Sequence, residues 1–106
     1  MGFRYTVTAR FTEESTADEW VAWLKAGHCR DVLNGGATRA QIVRLTPSDD
    51  LAFEVRYDFP NEAVFRRYQS DYAPQLIEEG LSLFPSTRGI EYARTSGSVL
   101  HDEGSA

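Results

Sequence analysis

The segment 19–33 contains the side chains best suited to chemistry in this chain, namely two tryptophans, a histidine and an aspartate. The imidazole of His28 titrates near neutral pH, so it is able to exchange a proton with a bound molecule. Asp31 follows one helical turn later and is able to orient that imidazole, which makes the two residues candidate catalytic groups. The same pair would also stabilise the end of a helix, and the sequence leaves both roles open.

The two tryptophans of this segment cannot both face one core. Trp20 and Trp23 lie about 60° apart on a helical wheel, because each residue turns a helix by about 100°. We interpret Trp23 as the lining of a pocket, where its ring would stack on a planar ligand. The alternative is that one tryptophan packs in the core and the other in an interface.

A second group of candidates consists of charged residues on the predicted strands, and an unpaired arginine among them would bind an acidic ligand. We predict Arg44 for this role, and Tyr68 as a further ligand-binding residue beside Trp23 and His28. The alternative is a network of ion pairs that fixes a dimer. The charged residues are Arg4, Arg10, Arg44, Glu54, Arg56 and Asp58.

Composition argues against several other functions. The formal net charge is −5, which disfavours binding to a nucleic-acid backbone. His28 and Asp31 supply two metal ligands where a catalytic zinc needs three, so we predict neither a metal site nor a cofactor. Cys29 is the single cysteine and cannot form an intramolecular disulfide. With no apolar run long enough for a membrane helix, we expect a cytoplasmic protein without membrane partners.

The pattern of apolar residues predicts four strands and two helical regions. Alternation of apolar and polar residues marks the strands. A capping box at 16–19 predicts that the first helix begins at Thr16, and 34–36 ends it with two glycines. Asn61 is expected to cap the second region, which Pro74 interrupts. The strands are predicted at 3–12, 37–46, 51–59 and 89–95, and the helical regions at 16–34 and 61–84.

The element order β-α-β-β-α-β predicts a ferredoxin-like α+β sandwich, with one domain at 1–96 and a flexible tail at 97–106. Both helical regions then cover one face of an antiparallel sheet. The other face carries polar residues and is most easily covered by a second copy, so we predict a homodimer. The register of the second strand stays open, because either Arg44 or the pair Gln41 and Val43 would lie on this uncovered face.

The spacing W-x-x-W-x-x-x-x-H-x-x-D-V-L-x-x-G, from Trp20 to Gly36, and the later Y-x-x-x-x-A-P-x-L, from Tyr68 to Leu76, resemble an uncharacterised family of bacterial proteins of similar length. The family is known only as a domain of unknown function. The resemblance covers about residues 4–95.

Proteins of this kind are similar to the dimeric α+β barrels, in which two ferredoxin-like sheets pack face to face. That group includes cofactor-independent monooxygenases, haem-degrading enzymes and lactone isomerases. The resemblance therefore implies the fold and a dimer, and His28 is similar to the histidine of an H-x-P element seen in several members. Arg30 replaces that proline here, and Tyr72 stands where the family often has histidine.

Three functional hypotheses follow. The first is a protein that binds a small planar or acidic molecule in a cleft between the first helix and the sheet. The second is a cofactor-independent monooxygenase or isomerase in which His28 transfers a proton, an analogy at the level of the fold. The third is a dimeric interaction module without catalysis.

Overall fold

The computed structural model describes residues 2–105, which form a four-stranded antiparallel sheet of order β2-β3-β1-β4 with helices on one face. This confirms the predicted ferredoxin-like fold. Short 3₁₀ turns at Ser48–Asp50 and Ser86–Arg88 precede β3 and β4. The main elements are β1 (Phe3–Phe11), α1 (Glu14–Trp23), a π-helical turn (Leu24–His28), α2 (Cys29–Asn34), β2 (Arg39–Arg44), β3 (Ala52–Phe59), α3 (Glu62–Asp71), α4 (Ala73–Leu83) and β4 (Ile90–Ser98).

The core lies between the helices and the apolar face of β1 and β3, where alternate residues are buried. Aromatic rings fill most of this space, because Phe3 stacks on Phe65 and Phe11 packs against Trp20. Leu24 and Val32 complete the core below the first helical region and are almost fully buried. The predicted alternation in the strands is therefore correct, and it sets which side chains face the helices.

The first helix begins before the predicted capping box. Glu13 has the extended backbone of an N-cap, and Thr16 lies inside the helix with its side chain buried. The amide of Ala17 donates to the carbonyl of Glu13, which leaves no cap position for Thr16. The prediction of a capping box was therefore wrong, because the side chain of Thr16 is used for packing instead.

The predicted signals around the second helical region are confirmed. The amide of Val64 donates to Oδ1 of Asn61 at 2.9 Å, so Asn61 caps α3. The helix breaks between Asp71 and Ala73, and Pro74 lies in the first turn of α4, where its missing donor is harmless.

The strand pairing resolves the register of β2. Gln41 pairs with Arg56 and Val43 with Glu54, so both lie on the uncovered face. Arg44 pairs with Phe53 and therefore lies on the helix side of the sheet. The last strand continues beyond its predicted end at Thr95 to Ser98.

Two ion pairs lie on the uncovered face. The guanidinium of Arg4 pairs with Asp58 across two strands at 3.1 Å, and Arg56 pairs with Glu54 at 2.7 Å. Arg10 and Arg39 lie on the same face and form no ion pair with any residue in the range 2–105.

None of the helices described is both long enough and apolar enough to span a membrane.

Candidate functional site

Trp23 and His28 stack against each other, with ring centroids 4.2 Å apart and planes inclined by 25°. The turn between them is π-helical, so residues five apart follow one another along the same face. In a regular α-helix the partners would be three or four residues apart, and Trp23 would lie above Gly27. The π-helical turn therefore brings together two of the residues that the sequence singled out.

The stacked pair borders a partly open cavity of about 50 Å³ between the helices and the sheet. Tyr68 of α3 and Tyr57 of β3 also line this cavity, so three of the predicted site residues lie around one space. Apolar side chains form most of the remaining wall. The other lining residues are Tyr5, Val7, Trp20, Leu24, Val55, Leu76, Ile77, Gly80, Leu81, Tyr92 and Arg94.

Two larger depressions share lining residues with the cavity. An outer cleft of about 300 Å³ shares Trp23 and His28 with it and is also lined by Asp31 and Glu79. A side pocket of about 250 Å³ shares Tyr68 and Arg94 with it and opens beside β4. The cavity therefore shares wall residues with both depressions, and Trp23 and His28 are common to the cavity and the outer cleft.

Gly80 allows α4 to approach the indole of Trp23. A Cβ atom at this position would lie 3.2 Å from Cη2 of the ring, which is closer than ordinary van der Waals contact. The absence of a side chain therefore sets how near α4 comes to the stacked pair.

His28 is half-buried, and its electrostatic environment favours the neutral imidazole. Burial lowers the pKa of His28, and the negative charge of Asp31 opposes this in part. None of the side-chain hydrogen bonds among residues 2–105 involves a ring nitrogen of His28. The ring is therefore a neutral group with one nitrogen able to accept a proton.

Four tyrosines near the cavity remain protonated, because burial raises the pKa of Tyr5, Tyr57, Tyr68 and Tyr92. The positive charge of Arg94 lowers the pKa of Tyr5, Tyr68 and Tyr92 again in part, which places the guanidinium beside these phenols. Each of these phenols therefore keeps an O–H group that is able to donate a hydrogen bond.

No cluster of three or more histidine, cysteine or acidic side chains able to hold a metal ion occurs among residues 2–105. Cys29 is half-buried, and burial raises the pKa of its thiol. A protonated thiol is a weak nucleophile, so the site offers no activated cysteine.

A match to the family described as "Domain of unknown function (DUF4286)" extends over residues 3–90. The chain belongs to this family. That result confirms the resemblance predicted from the tryptophan and histidine spacing. No curated protein matches the chain.

Solved structures show the same fold for this DUF4286 domain. A dimeric ferredoxin-like protein from an uncultured marine organism matches with a TM-score of 0.74 and 13% identity, over 96% of this chain and 98% of that one. A monooxygenase from the gene ActVA-Orf6 of Streptomyces coelicolor, in complex with Nanaomycin D, has a TM-score of 0.65 and 21% identity, over 95% and 93% of the two chains.

A third similar structure is a variant of SnoaB, a cofactor-independent oxygenase from Streptomyces nogalater. Its TM-score is 0.70 and its identity 11%, over 95% of both chains. At these identities the comparisons establish the shared fold of the DUF4286 domain and the other proteins.

The predicted site residues of the DUF4286 domain divide into two groups. Trp23, His28 and Tyr68 line the cavity, and Asp31 lies in the outer cleft next to His28. Arg44 is not among the residues that line these spaces. It packs over the ring of Phe53 and pairs with Glu14 at 3.3 Å.

Arg94 is the cavity arginine that the sequence analysis did not identify. It follows Ile90 and Tyr92 on the helix side of β4, because Val7 is its partner in the register. The alternation of β4 indicates this position, since residues 90, 92 and 94 lie on the same face of a strand. Its charge and its position beyond them made it resemble an ordinary residue at a strand end.

Proposed function

We propose that this protein binds a small planar acid in the cavity between the first helical region and the sheet. The position of Arg94 is the observation that carries the proposal. Arg94 lines both the cavity and the side pocket, and no carboxylate among the described residues pairs with it. A guanidinium beside apolar rings favours an anion whose remainder is aromatic.

The stacked rings of Trp23 and His28 support the planar part of this proposal. Together with Tyr68 they provide flat surfaces against which an aromatic ring packs favourably. A cavity of about 50 Å³ holds a few water molecules, since one water needs about 10–15 Å³. A ring-sized ligand therefore requires the stacked pair to move, and this movement would join the cavity to the outer cleft.

We also propose that the uncovered face of the sheet pairs with a second copy of the chain. Arg10 and Arg39 on this face have no ion-pair partner among residues 2–105, although Glu54 and Asp58 lie on the same face. A two-fold copy would supply carboxylates to these arginines and remove the sheet face from water. The similar protein from a marine organism is described as dimeric.

Ligand binding is tested by titrating benzoate and 2-naphthoate into the protein, following tryptophan emission and the melting temperature. The proposal predicts a change in emission and a higher melting temperature, because a ligand bound to the folded state stabilises it. Arg94→Gln should weaken binding about tenfold or more. Arg67→Gln is the matched control, since Arg67 is exposed on α3 and lines none of the three spaces.

Failure of these acids to change either signal in the unaltered protein would contradict the binding proposal. It would favour the interaction module, which needs no ligand. Equal affinities for Arg94→Gln and the unaltered protein would contradict the role of the arginine alone.

A second candidate function is proton transfer by His28, as in a cofactor-independent monooxygenase or isomerase. The neutral state of its imidazole favours it, because a general base must be unprotonated at the working pH. Two of the similar structures are described as oxygenases. Oxygen consumption with phenolic substrates tests this candidate, and full activity of His28→Gln would contradict it.

A further inference from the structure

The hydroxyl of Tyr57 is the one buried side-chain oxygen or nitrogen among residues 2–105 that makes no hydrogen bond. The residue is 1% exposed, so bulk solvent does not supply the missing partner. Buried hydroxyls without a partner are rare, because desolvation of the polar group is then uncompensated. Tyr57 also lines the cavity, and the movement that a ring-sized ligand requires would bring a ligand within reach of this donor.

The protein itself offers Tyr57 little compensation. Burial raises the pKa of Tyr57 and the nearby Cys29 raises it further, yet the hydroxyl of Tyr57 has no hydrogen-bond partner. A thiol is also a weak acceptor. The neighbouring phenols of Tyr5 and Tyr68 are protonated, and neither accepts a hydrogen bond from Tyr57. No described residue therefore serves as an acceptor for the hydroxyl of Tyr57.

Tyr57 and Arg94 lie at opposite sides of the cavity floor. Tyr57 is on β3 and Arg94 on β4, with β1 between them. Two strand spacings of about 5 Å and an offset of two residues along the strands separate their backbones by roughly 12 Å. Tyr5 pairs with Tyr57, and Val7 pairs with Arg94, so these two residues of β1 form the floor between the polar groups.

We propose that the ligand is an aromatic carboxylate with a carbonyl or ether oxygen at the end opposite the acid, and that Tyr57 donates a hydrogen bond to this oxygen. The inference rests on the proposed function, because Arg94 holds the carboxylate. The inference adds a second polar group, an oxygen, to the ligand. Tyr57 is then the residue that selects ligands with this oxygen. Aromatic acids that carry a protonated amine or no polar group in the place of the second oxygen are then poorer ligands. They offer no acceptor and leave the hydroxyl of Tyr57 unpaired.

Two ligands of nearly the same shape test this assignment. 4-Acetylbenzoate carries an acceptor opposite its acid, whereas 4-isopropylbenzoate carries a methyl group in the place of that oxygen. Isothermal titration at fixed pH and salt should show that the unaltered protein binds the acetyl compound about fivefold to tenfold more tightly, the range expected for one hydrogen bond.

Tyr57→Phe removes the hydroxyl and keeps the ring. In this variant the two ligands should bind with equal affinity, and the melting temperature without ligand should stay the same or rise, because an unpaired buried group is removed. Tyr72→Phe is the matched control, since Tyr72 is 42% exposed and lines none of the three spaces. It should keep the preference for the acetyl compound.

The outcomes separate this inference from the binding proposal. If the unaltered protein binds both ligands equally, or if Tyr57→Phe keeps the preference, the role of Tyr57 is wrong and the cavity remains a site for aromatic acids. If neither ligand binds to the unaltered protein, the proposed function fails and the assignment of Tyr57 fails with it. If Tyr57→Phe does not fold, the comparison of the two ligands on the unaltered protein still tests the inference, because equal affinities contradict it.

Discussion

Trp23 and His28 stack at 4.2 Å because a π-helical turn places them one above the other. Both residues line the partly open cavity and the outer cleft. A π-helical turn has a wider backbone than an α-helix and is often found at functional sites. The geometry of the candidate site therefore depends on this π-helical turn.

The first prediction concerns acid stability. Burial lowers the pKa of His28 in the folded protein below the ordinary value of 6.5. Between these two pKa values the unfolded chain binds more protons than the folded one, so the free energy of unfolding falls as the pH drops through this window. His28→Gln removes this proton linkage. Urea unfolding at several pH values from 7 down to 5 should show a smaller loss of stability in the variant.

The control for this measurement is His101→Gln. His101 lies in the exposed C-terminal segment and contacts Glu103, so its replacement should leave the pH dependence of the unaltered protein in place. Identical pH profiles for His28→Gln and the unaltered protein would show that His28 titrates alike in the folded and unfolded states. The lowered pKa would then be wrong.

The second prediction compares Gly27, inside the π-helical turn, with Gly35, which directly follows α2. A Cβ atom on Gly35 would lie 2.8 Å from Cδ1 of Tyr68, whereas one on Gly27 meets nothing within 4 Å. Gly35→Ala should therefore lower the free energy of unfolding by about 1–3 kcal/mol through crowding. Gly27→Ala should raise it by about 0.5–1 kcal/mol, because alanine is the better helix former. Urea denaturation measures both changes.

Tyr68 links this pair of variants to the cavity. Crowding at Gly35 must displace its ring, so Gly35→Ala should also weaken the binding of 2-naphthoate, while Gly27→Ala should not change the ring position. Equal stabilities of the two variants would show that the rings of Tyr68 and Tyr72 move aside without cost.

The fold was predictable from residue patterns that act locally. Strand alternation fixes which face of β1 and β3 is buried, and Gly36 ends the first helical region with a backbone φ of 124° that favours glycine. Asn61 and Pro74 act within one helical turn. Such signals depend on residues close together in the sequence, so they can be recognised without the structure.

The site was predictable in part, because its geometry depends on contacts between distant segments. The motif identified Trp23 and His28, but nothing in it indicates the π-helical turn that stacks them. Arg44 was assigned to the ligand, and its actual position depends on pairing with β3. Arg94 depends likewise on the register between β1 and β4. Thr16 appeared as a cap because its burial against the core is a tertiary effect.

The third prediction concerns the start of α3. Asn61→Ala removes the acceptor of the Val64 amide and should lower the free energy of unfolding by about 1 kcal/mol. Asn34→Ala is the matched control, because Asn34 is exposed at the end of α2 and is absent from the side-chain hydrogen bonds among residues 2–105. Thermal or urea unfolding would distinguish them, and equal stabilities would argue against the cap.

The last prediction concerns the uncovered face of the sheet. Thr8 lies at its centre on β1, between Glu54 of β3 and Ala93 of β4. Thr8→Glu places a second carboxylate beside Glu54, which costs an isolated sheet only about 0.2–1 kcal/mol. In a dimer that covers this face, the same carboxylate would be buried without a partner at a far greater cost. Sedimentation velocity should therefore find a dimer for the unaltered chain and a folded monomer for Thr8→Glu.

Gln75→Glu makes the same change in charge on the exposed surface of α4 and should leave the dimer intact. Raising the salt concentration should weaken the dimer of the unaltered chain to a limited degree. Salt would screen those ion pairs of Arg10 and Arg39 with a second copy that are exposed to solvent, and it would screen buried pairs much less. A dimer that persists in Thr8→Glu would mean that association uses another surface. A monomer in the unaltered chain at all concentrations would mean that the polar face of the sheet is satisfied by water.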